Sequence, residues 1–259
     1  MQTNPNYETI LLFSVRLGEV MLKSGAETYR VEDTITRILN AHGFKYADTF
    51  VTPTVIMATI KENDHAICST LRRIKNRQTR LDKIERINQL SRDYVLGHID
   101  LDKAQALVEN IDQLPAHSPR LIELTTGLCS GFFCLMFDGG IAEFIISFLV
   151  GFGVAKLQHF MKKREIINYF SLFMASFFIG TCLTVLTFIL PNTLHSEAIT
   201  IGCIMPLVPG LAFTNAIRDM IGDELLSGIS RGFEALFIAI AIAAGVGIPM
   251  SIGIYLGGL

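Results

Sequence analysis

The chain has 259 residues, 50% hydrophobic and 18% charged, with a formal net charge of −2 and a mean hydropathy of +0.43. An average soluble domain is more charged and less apolar, and a near-neutral chain gives a nucleic acid no electrostatic hold. Cys68, Cys129, Cys134, Cys182 and Cys203 have no metal-ligand spacing, and four of the five lie in apolar runs, where a thiol behaves as a small hydrophobe. No disulfide framework, metal centre or cofactor is expected. The opening residues MQTNPNYETI lack a basic region and a small-residue cleavage site, so no signal peptide is expected.

The charge lies mostly before residue 119, in a stretch that reads as an α+β domain over 1–118. Residues 7–23 place Ile10, Phe13, Leu17, Val20 and Met21 on one helical face, with Arg16, Glu19 and Lys23 off it. Ser24-Gly25 stops that helix, with Gly25 as a left-handed cap. A second helix over 26–42 carries the apolar stripe Val31, Ile35, Ile38 and Leu39 and ends at Gly43. Glu27, Arg30, Glu32, Asp33 and Arg37 are spaced to pair on a solvated face; the competing reading gives Ser24, Glu27 and Arg30 an ordered internal role. Segments 44–51 and 54–61, rich in Thr, Val, Ile and aromatics, predict a hairpin, followed by a turn at 62–64 and a third strand over 66–74. Arg72, Arg73, Lys75, Arg77 and Arg80 form a basic run that reads as a solvated edge or as a contact for anionic lipid headgroups. A helix over 81–96 follows, then one over 101–114 capped by Asp100, then a Pro-rich linker at 115–119.

Residues 119–259 read as an all-α membrane domain of five transmembrane helices, at about 121–137, 141–157, 167–190, 198–213 and 233–255. The breaks fall at Asp138-Gly139-Gly140, in the loop after the second run, at Pro191-Asn192, and after the fourth run. The loops carrying Lys156, Lys162, Lys163 and Arg164, and Arg218 and Arg231, would share one side with the N-terminal domain. The positive-inside rule then makes that domain cytoplasmic and places the C-terminus outside.

The stretch 203–234 concentrates the chemistry. Pro206 and Pro209, followed by Gly210, predict a kinked or opened helix within the fourth run. Beyond the break come Thr214, Asn215, Arg218, Asp219, Asp223, Ser227, Arg231 and Glu234. Backbone groups freed inside hydrocarbon are tolerated where protein or a water-filled cavity satisfies them, so a broken apolar helix running into acids and arginines reads as a substrate or ion path. The plain alternative is a kinked structural helix with an interfacial amphipathic segment. Were the stretch helical, the polar positions from Asn215 to Arg231, recurring every four residues, would each neighbour the next, and Arg218 would pair with Asp219 or Asp223. Thr214 and Asn215 offer donors and acceptors to a small carboxylate, and Arg218 or Arg231 a bidentate fork. Asp219, Asp223, Glu234 or Glu143, the last just inside the second run, could carry a proton. Asp138 reads as a turn former. The six histidines show no metal spacing and no Ser/His/Asp triad can be assembled.

These residues resemble those of the threonine/serine exporter family. KSGAETYRVEDTITRIL at 23–39 is similar to the family's Ser-Gly-Ala then Arg-Val-Glu pattern, and PLVPGLAFTNAIRDMIGDELLSGISRGFEA at 206–235 is a long and specific match. Gly139-Gly140, with Glu143 where relatives often carry an acid, also fits. The resemblance spans nearly the whole chain and is to the N-terminal half of full-length members. It therefore implies a YjjP-type subunit of a split exporter in the bacterial cytoplasmic membrane, working in an oligomeric complex with a small YjjB-type membrane subunit and in contact with membrane lipid. Fused members are associated with threonine and serine, split members with succinate, so a small carboxylate substrate is implied, a dicarboxylate before an amino acid. The competing function class is a membrane-anchored enzyme or sensor with its activity in residues 1–118; a third is a subunit that only stabilises a partner's pore.

Overall fold

The computed structural model describes residues 5–44, 46–62, 65–190 and 194–256. Residue 45 in the first expected strand, the expected turn at 63–64 and the expected stop at Pro191 and Asn192 lie outside the described residues. The chain divides into two units, Met1–Pro115 with Phe213–Gly232, and Ala116–Ala212 with Phe233–Leu259.

In the first unit, α1 (Pro5–Lys23) is the central element. The sequence pattern gives it one apolar face, but Leu11, Val15 and Leu22 are buried along with Ile10, Phe13, Leu17, Val20 and Met21. A helix apolar on more than one side is buried on more than one side. It is packed by α2 (Thr28–Ala41), α3 (Leu81–Val95), α4 (Leu101–Asp112) and strands β2 (Val55–Glu62) and β3 (His65–Arg73). The few charges of α1 leave by one edge, where Arg16 Nε donates to Glu109 Oε1 at 2.8 Å and Arg16 Nη2 to Asp112 Oδ2 at 2.6 Å. Asp100 accepts the Lys103 backbone N–H at 2.8 Å, which starts α4 as the sequence predicts.

The sheet is antiparallel, in the order β1-β2-β3, with β1 at Tyr46–Thr52. Val51, Ile56, Ala58 and Ile60 face the core, while the cross-strand row Phe50, Met57 and Leu71 is exposed on the other face. Strict alternation produces this split, because neighbouring side chains point to opposite faces.

The second unit contains α5 (Pro119–Met136), α6 (Ile141–Lys163), α7 (Asn168–Ile189), α8 (Ser196–Ile204) and the greater part of α10 (Leu225–Tyr255). Small residues let these helices approach closely. A Cβ on Gly202 of α8 would lie 2.6 Å from the Ser130 carbonyl oxygen of α5, and one on Gly245 of α10 would lie 2.6 Å from the Phe173 carbonyl oxygen of α7. Without a hydrophobic drive between apolar helices in lipid, this close van der Waals contact is what associates them.

Among the described residues α6, α7 and α10 are long and apolar enough to cross a membrane. A fourth span is formed if α8 and α9 (Gly210–Ile221), which pass that test together and meet at 59°, count as one. In each of the three long helices no more than 33% of the apolar window is buried within the chain. The five-span expectation is thus met only to three or four by length and composition. The first expected span does form a helix, α5, but Arg120 and Glu123 occupy its opening turns and it is not among the candidates.

Candidate functional site

Two tight turns position the polar residues of the first unit. After α1, Gly25 adopts φ +91°, the Gly25 N–H donates to the Leu22 carbonyl and the Ala26 N–H to the Met21 carbonyl, each at 3.1 Å. This is a Schellman closure, and only glycine takes that φ without strain. After α9 the same pattern recurs: Asp223 has φ +63°, its N–H donates to the Met220 carbonyl at 3.3 Å and the Glu224 N–H to the Asp219 carbonyl at 2.9 Å. Asp is among the few side chains that tolerate the left-handed region.

The second turn corrects the expectation of a continuous helical row. Asp223 does not stack between Asp219 and Ser227; it reverses the chain, so that α9 and the start of α10 form a helical hairpin. Gly228 is the contact point. A Cβ there would fall 2.4 Å from Met220 Cγ and 2.9 Å from the Ala216 carbonyl oxygen. The hairpin brings Arg231 beside Asp219, with Nε 3.1 Å from Oδ2 and both side chains buried.

Those two turns meet. Asn215 Nδ2 donates to the Gly25 carbonyl at 3.3 Å, and Arg231 Nη2 to the Ala26 carbonyl at 2.7 Å. Thr28 Oγ1 donates to Asp219 Oδ1 at 3.1 Å. Arg218 Nη1 donates to Glu27 Oε1, while Arg30 Nε lies 3.4 Å from Glu27 Oε2. Four consecutive residues, 25–28, are therefore each bound by a residue of the α9–α10 hairpin. The expected pairing of Arg218 with Asp219 or Asp223 is replaced by one with Glu27. Glu27, expected first on a solvated face, is buried, as is Ser24 in the helix stop. The pairing spacing within α2 did not reveal this, because the partners lie about 190 residues away, as in Thr28 with Asp219.

Asp219 is fully buried and stands at the first residue of α2, whose N-cap, Glu27, makes no capping bond with its own side chain. A carboxylate from α9 thus serves the open N-terminus of α2, where helix N–H groups favour negative charge. Ser227 is buried, whereas Thr214 and Asp223 are exposed. Nearby, Glu32 Oε1 accepts the Val51 N–H at 2.7 Å, and burial pushes the Glu32 carboxyl above its ordinary range.

The other expected residues belong to the second unit. Pro206 lies in a 3-10 turn, Met205–Leu207, that ends α8. Val208 is extended, with φ −60° and ψ 128°, as a residue before proline must be. The Gly210 N–H donates to the Val208 carbonyl at 2.8 Å across Pro209. The predicted break is therefore present, and both prolines cause it by removing donors from the helical ladder. Glu143 is buried near the start of α6, accepting the Gly140 N–H at 3.0 Å and the His195 N–H at 3.2 Å. Both of its oxygens thus accept from backbone; it caps its own helix and ties down the entry to α8. Glu234 lies on α10 one turn beyond Arg231. Asp138, with φ +64°, forms the turn between α5 and α6 as expected.

Among the described residues no group of acids, histidines and cysteines could hold a metal. A cavity of about 380 Å³ in the first unit is lined by Leu12, Phe13 and Val108 together with Arg72, Gln105 and Arg16, the last already engaged by Glu109.

The profile of the threonine/serine exporters, ThrE, matches residues 12–253. The chain is 23% identical over 257 residues, 97% of both chains, to the Escherichia coli protein named "Probable succinate transporter subunit YjjP". A protein of the same name from Klebsiella aerogenes is 23% identical, over 89% of both chains. The Corynebacterium glutamicum "Threonine/serine exporter" is 20% identical over 94% of this chain but 51% of its own length. No solved structure matches the chain.

Proposed function

We infer that this chain, which belongs to the threonine/serine exporter family, is one subunit of an exporter that moves small carboxylate metabolites out across the bacterial cytoplasmic membrane. The observation that carries this reading is the helix break at Pro206–Gly210, followed in the chain by the polar residues 214–231, because discontinuous helices are how transporters make a solute path. End-to-end similarity to proteins named as succinate transporter subunits, and similarity to only half the length of a threonine/serine exporter, support a chain that works with a second, smaller membrane subunit of the YjjB type. Lys162 and Lys163 at the end of α6 support a cytoplasmic side for that end by the positive-inside rule, and a five-span count would set residues 1–118 on the same side and the C-terminus outside.

In this reading Pro206, Pro209 and Gly210 open the path, Thr214, Asn215 and Arg218 orient a substrate carboxylate, and the Asp219–Arg231 pair holds the hairpin that presents them. Glu143 braces the wall of the second unit. The test is efflux of radiolabelled succinate, serine and threonine from proteoliposomes holding the chain with its co-expressed partner. The Pro206→Ala/Pro209→Ala and Arg218→Ala variants should insert normally and lose efflux. Wild-type efflux from both, at equal protein level, removes the break and the arginine from the path.

A further inference from the structure

We propose that Arg30 and Arg218 form a carboxylate-exchange site in which Glu27 occupies the place that a substrate carboxylate takes. The proposal rests on the exporter reading and names two residues, Glu27 and Arg30, that sequence spacing assigned to no path.

One carboxylate lies between two guanidinium groups: Glu27 Oε1 accepts from Arg218 Nη1, and Glu27 Oε2 is 3.4 Å from Arg30 Nε. The acid is covered, with a side chain 10% exposed, while the two arginines are 55% and 42% exposed. Each guanidinium carries five N–H donors, and one on each faces Glu27. The remaining donors of Arg30 and Arg218 have no partner among the described residues. Arg231 and Asp219 neutralise each other, so the second positive charge beside Glu27 is uncompensated by that pair. Glu32, which feels the charge of Glu224, is held by the Val51 N–H rather than by either arginine.

The clasp makes Glu27 replaceable. On one side Gly25 and Ala26 are held through their carbonyls by Asn215 and Arg231, and on the other Thr28 is held by Asp219. None of these bonds uses the Glu27 side chain. That side chain can swing away while α2 and α9 keep Arg30 and Arg218 in register. An incoming carboxylate then finds a planar fork matched to its geometry, and the arginines are never left without an anion. Glu27 as an internal competitor keeps affinity low, and transport requires a site that binds firmly enough to load and weakly enough to release.

The test is calorimetric titration of sodium succinate into the purified full-length chain at constant ionic strength, with serine, sodium chloride and dimethyl succinate as comparisons. Succinate should bind and its dimethyl ester should not. Arg30→Ala should weaken succinate roughly tenfold or more, since a charged hydrogen bond is lost, and Arg30→Lys should restore it only in part. Glu27→Gln should tighten binding, because the competitor is gone, and should slow release in efflux assays. Thermal unfolding checks that Arg30→Ala, a half-exposed position, leaves the fold intact. Unchanged affinity in Arg30→Ala, weaker or unchanged affinity in Glu27→Gln, or no carboxylate binding by the wild type overturns the proposal. Efflux that fails in the wild-type complex while Arg30-dependent binding persists sinks the exporter reading instead.

Discussion

Replacing Asp219 by Ala removes the negative member of a buried pair and leaves Arg231, whose side chain is 6% exposed, without its counter-charge. At 3.1 Å and an effective dielectric near 20, Coulomb's law gives an attraction of about 5 kcal/mol between the two. Desolvation of both ions offsets much of that in the intact pair, but not in the single variant, where removing one partner of a buried pair costs about 3–5 kcal/mol. The same substitution removes the carboxylate at the N-terminus of α2, so the loss should be local to that helix and the α9–α10 hairpin. Hydrogen exchange read by mass spectrometry over the peptides of 26–41 and 213–232 measures it directly, since each 1.4 kcal/mol speeds exchange about tenfold. Exchange should rise by roughly a hundredfold or more in both peptides and leave α7 unchanged. Arg231→Met alone should behave similarly, because it strands Asp219 and the Ala26 carbonyl. The double variant should be less perturbed than the two singles added together, with a coupling of about 2–3 kcal/mol. Additive effects, or faster exchange confined to residues 213–232, would refute the assignment of this pair as the link between hairpin and α2.

Gly228→Ala should destabilise the hairpin by about 1–3 kcal/mol, because its new methyl meets Met220 Cγ at 2.4 Å; a Met220→Ala second change should restore only part of the loss on thermal unfolding, since the Ala216 carbonyl oxygen at 2.9 Å still crowds the methyl. Asp223→Gly should leave stability unchanged or raise it by up to about 1 kcal/mol at a left-handed position, and intact efflux in that variant would make Asp223 a turn former rather than a proton carrier. Glu143→Ala should cost about 1–3 kcal/mol by stranding the Gly140 and His195 N–H groups, read as faster exchange at the starts of α6 and α8. The Arg80 guanidinium holds the Asp82 carboxyl down to about 2. A depressed acid stabilises above its unfolded value and loses that contribution as pH falls from about 4 to about 2, so Asp82→Asn should flatten the acid limb in that window. The gain is under about 1 kcal/mol, since Asp82 is 37% exposed.

Local regularity made much of the fold legible in the sequence. Helical spacing placed α1 to α4, segments rich in Thr, Val, Ile and aromatics placed the hairpin of β1 and β2, and two prolines placed the break before Gly210, because each of these effects acts over a few residues. The apolar runs announced a membrane protein for the same reason. What no window of sequence could hold is the clasp. Glu27 and Arg30 looked like an ordinary solvated pair three residues apart, and Asp219 looked like a neighbour of Arg218. Their partners were decided by two Schellman turns, one at Gly25 and one at Asp223, that carry residues 25–28 and 215–231 to each other. Burial then set the energetics: a fully covered carboxylate must find a cation and N–H or O–H donors wherever the chain supplies them, and here they come from across the whole length of the molecule.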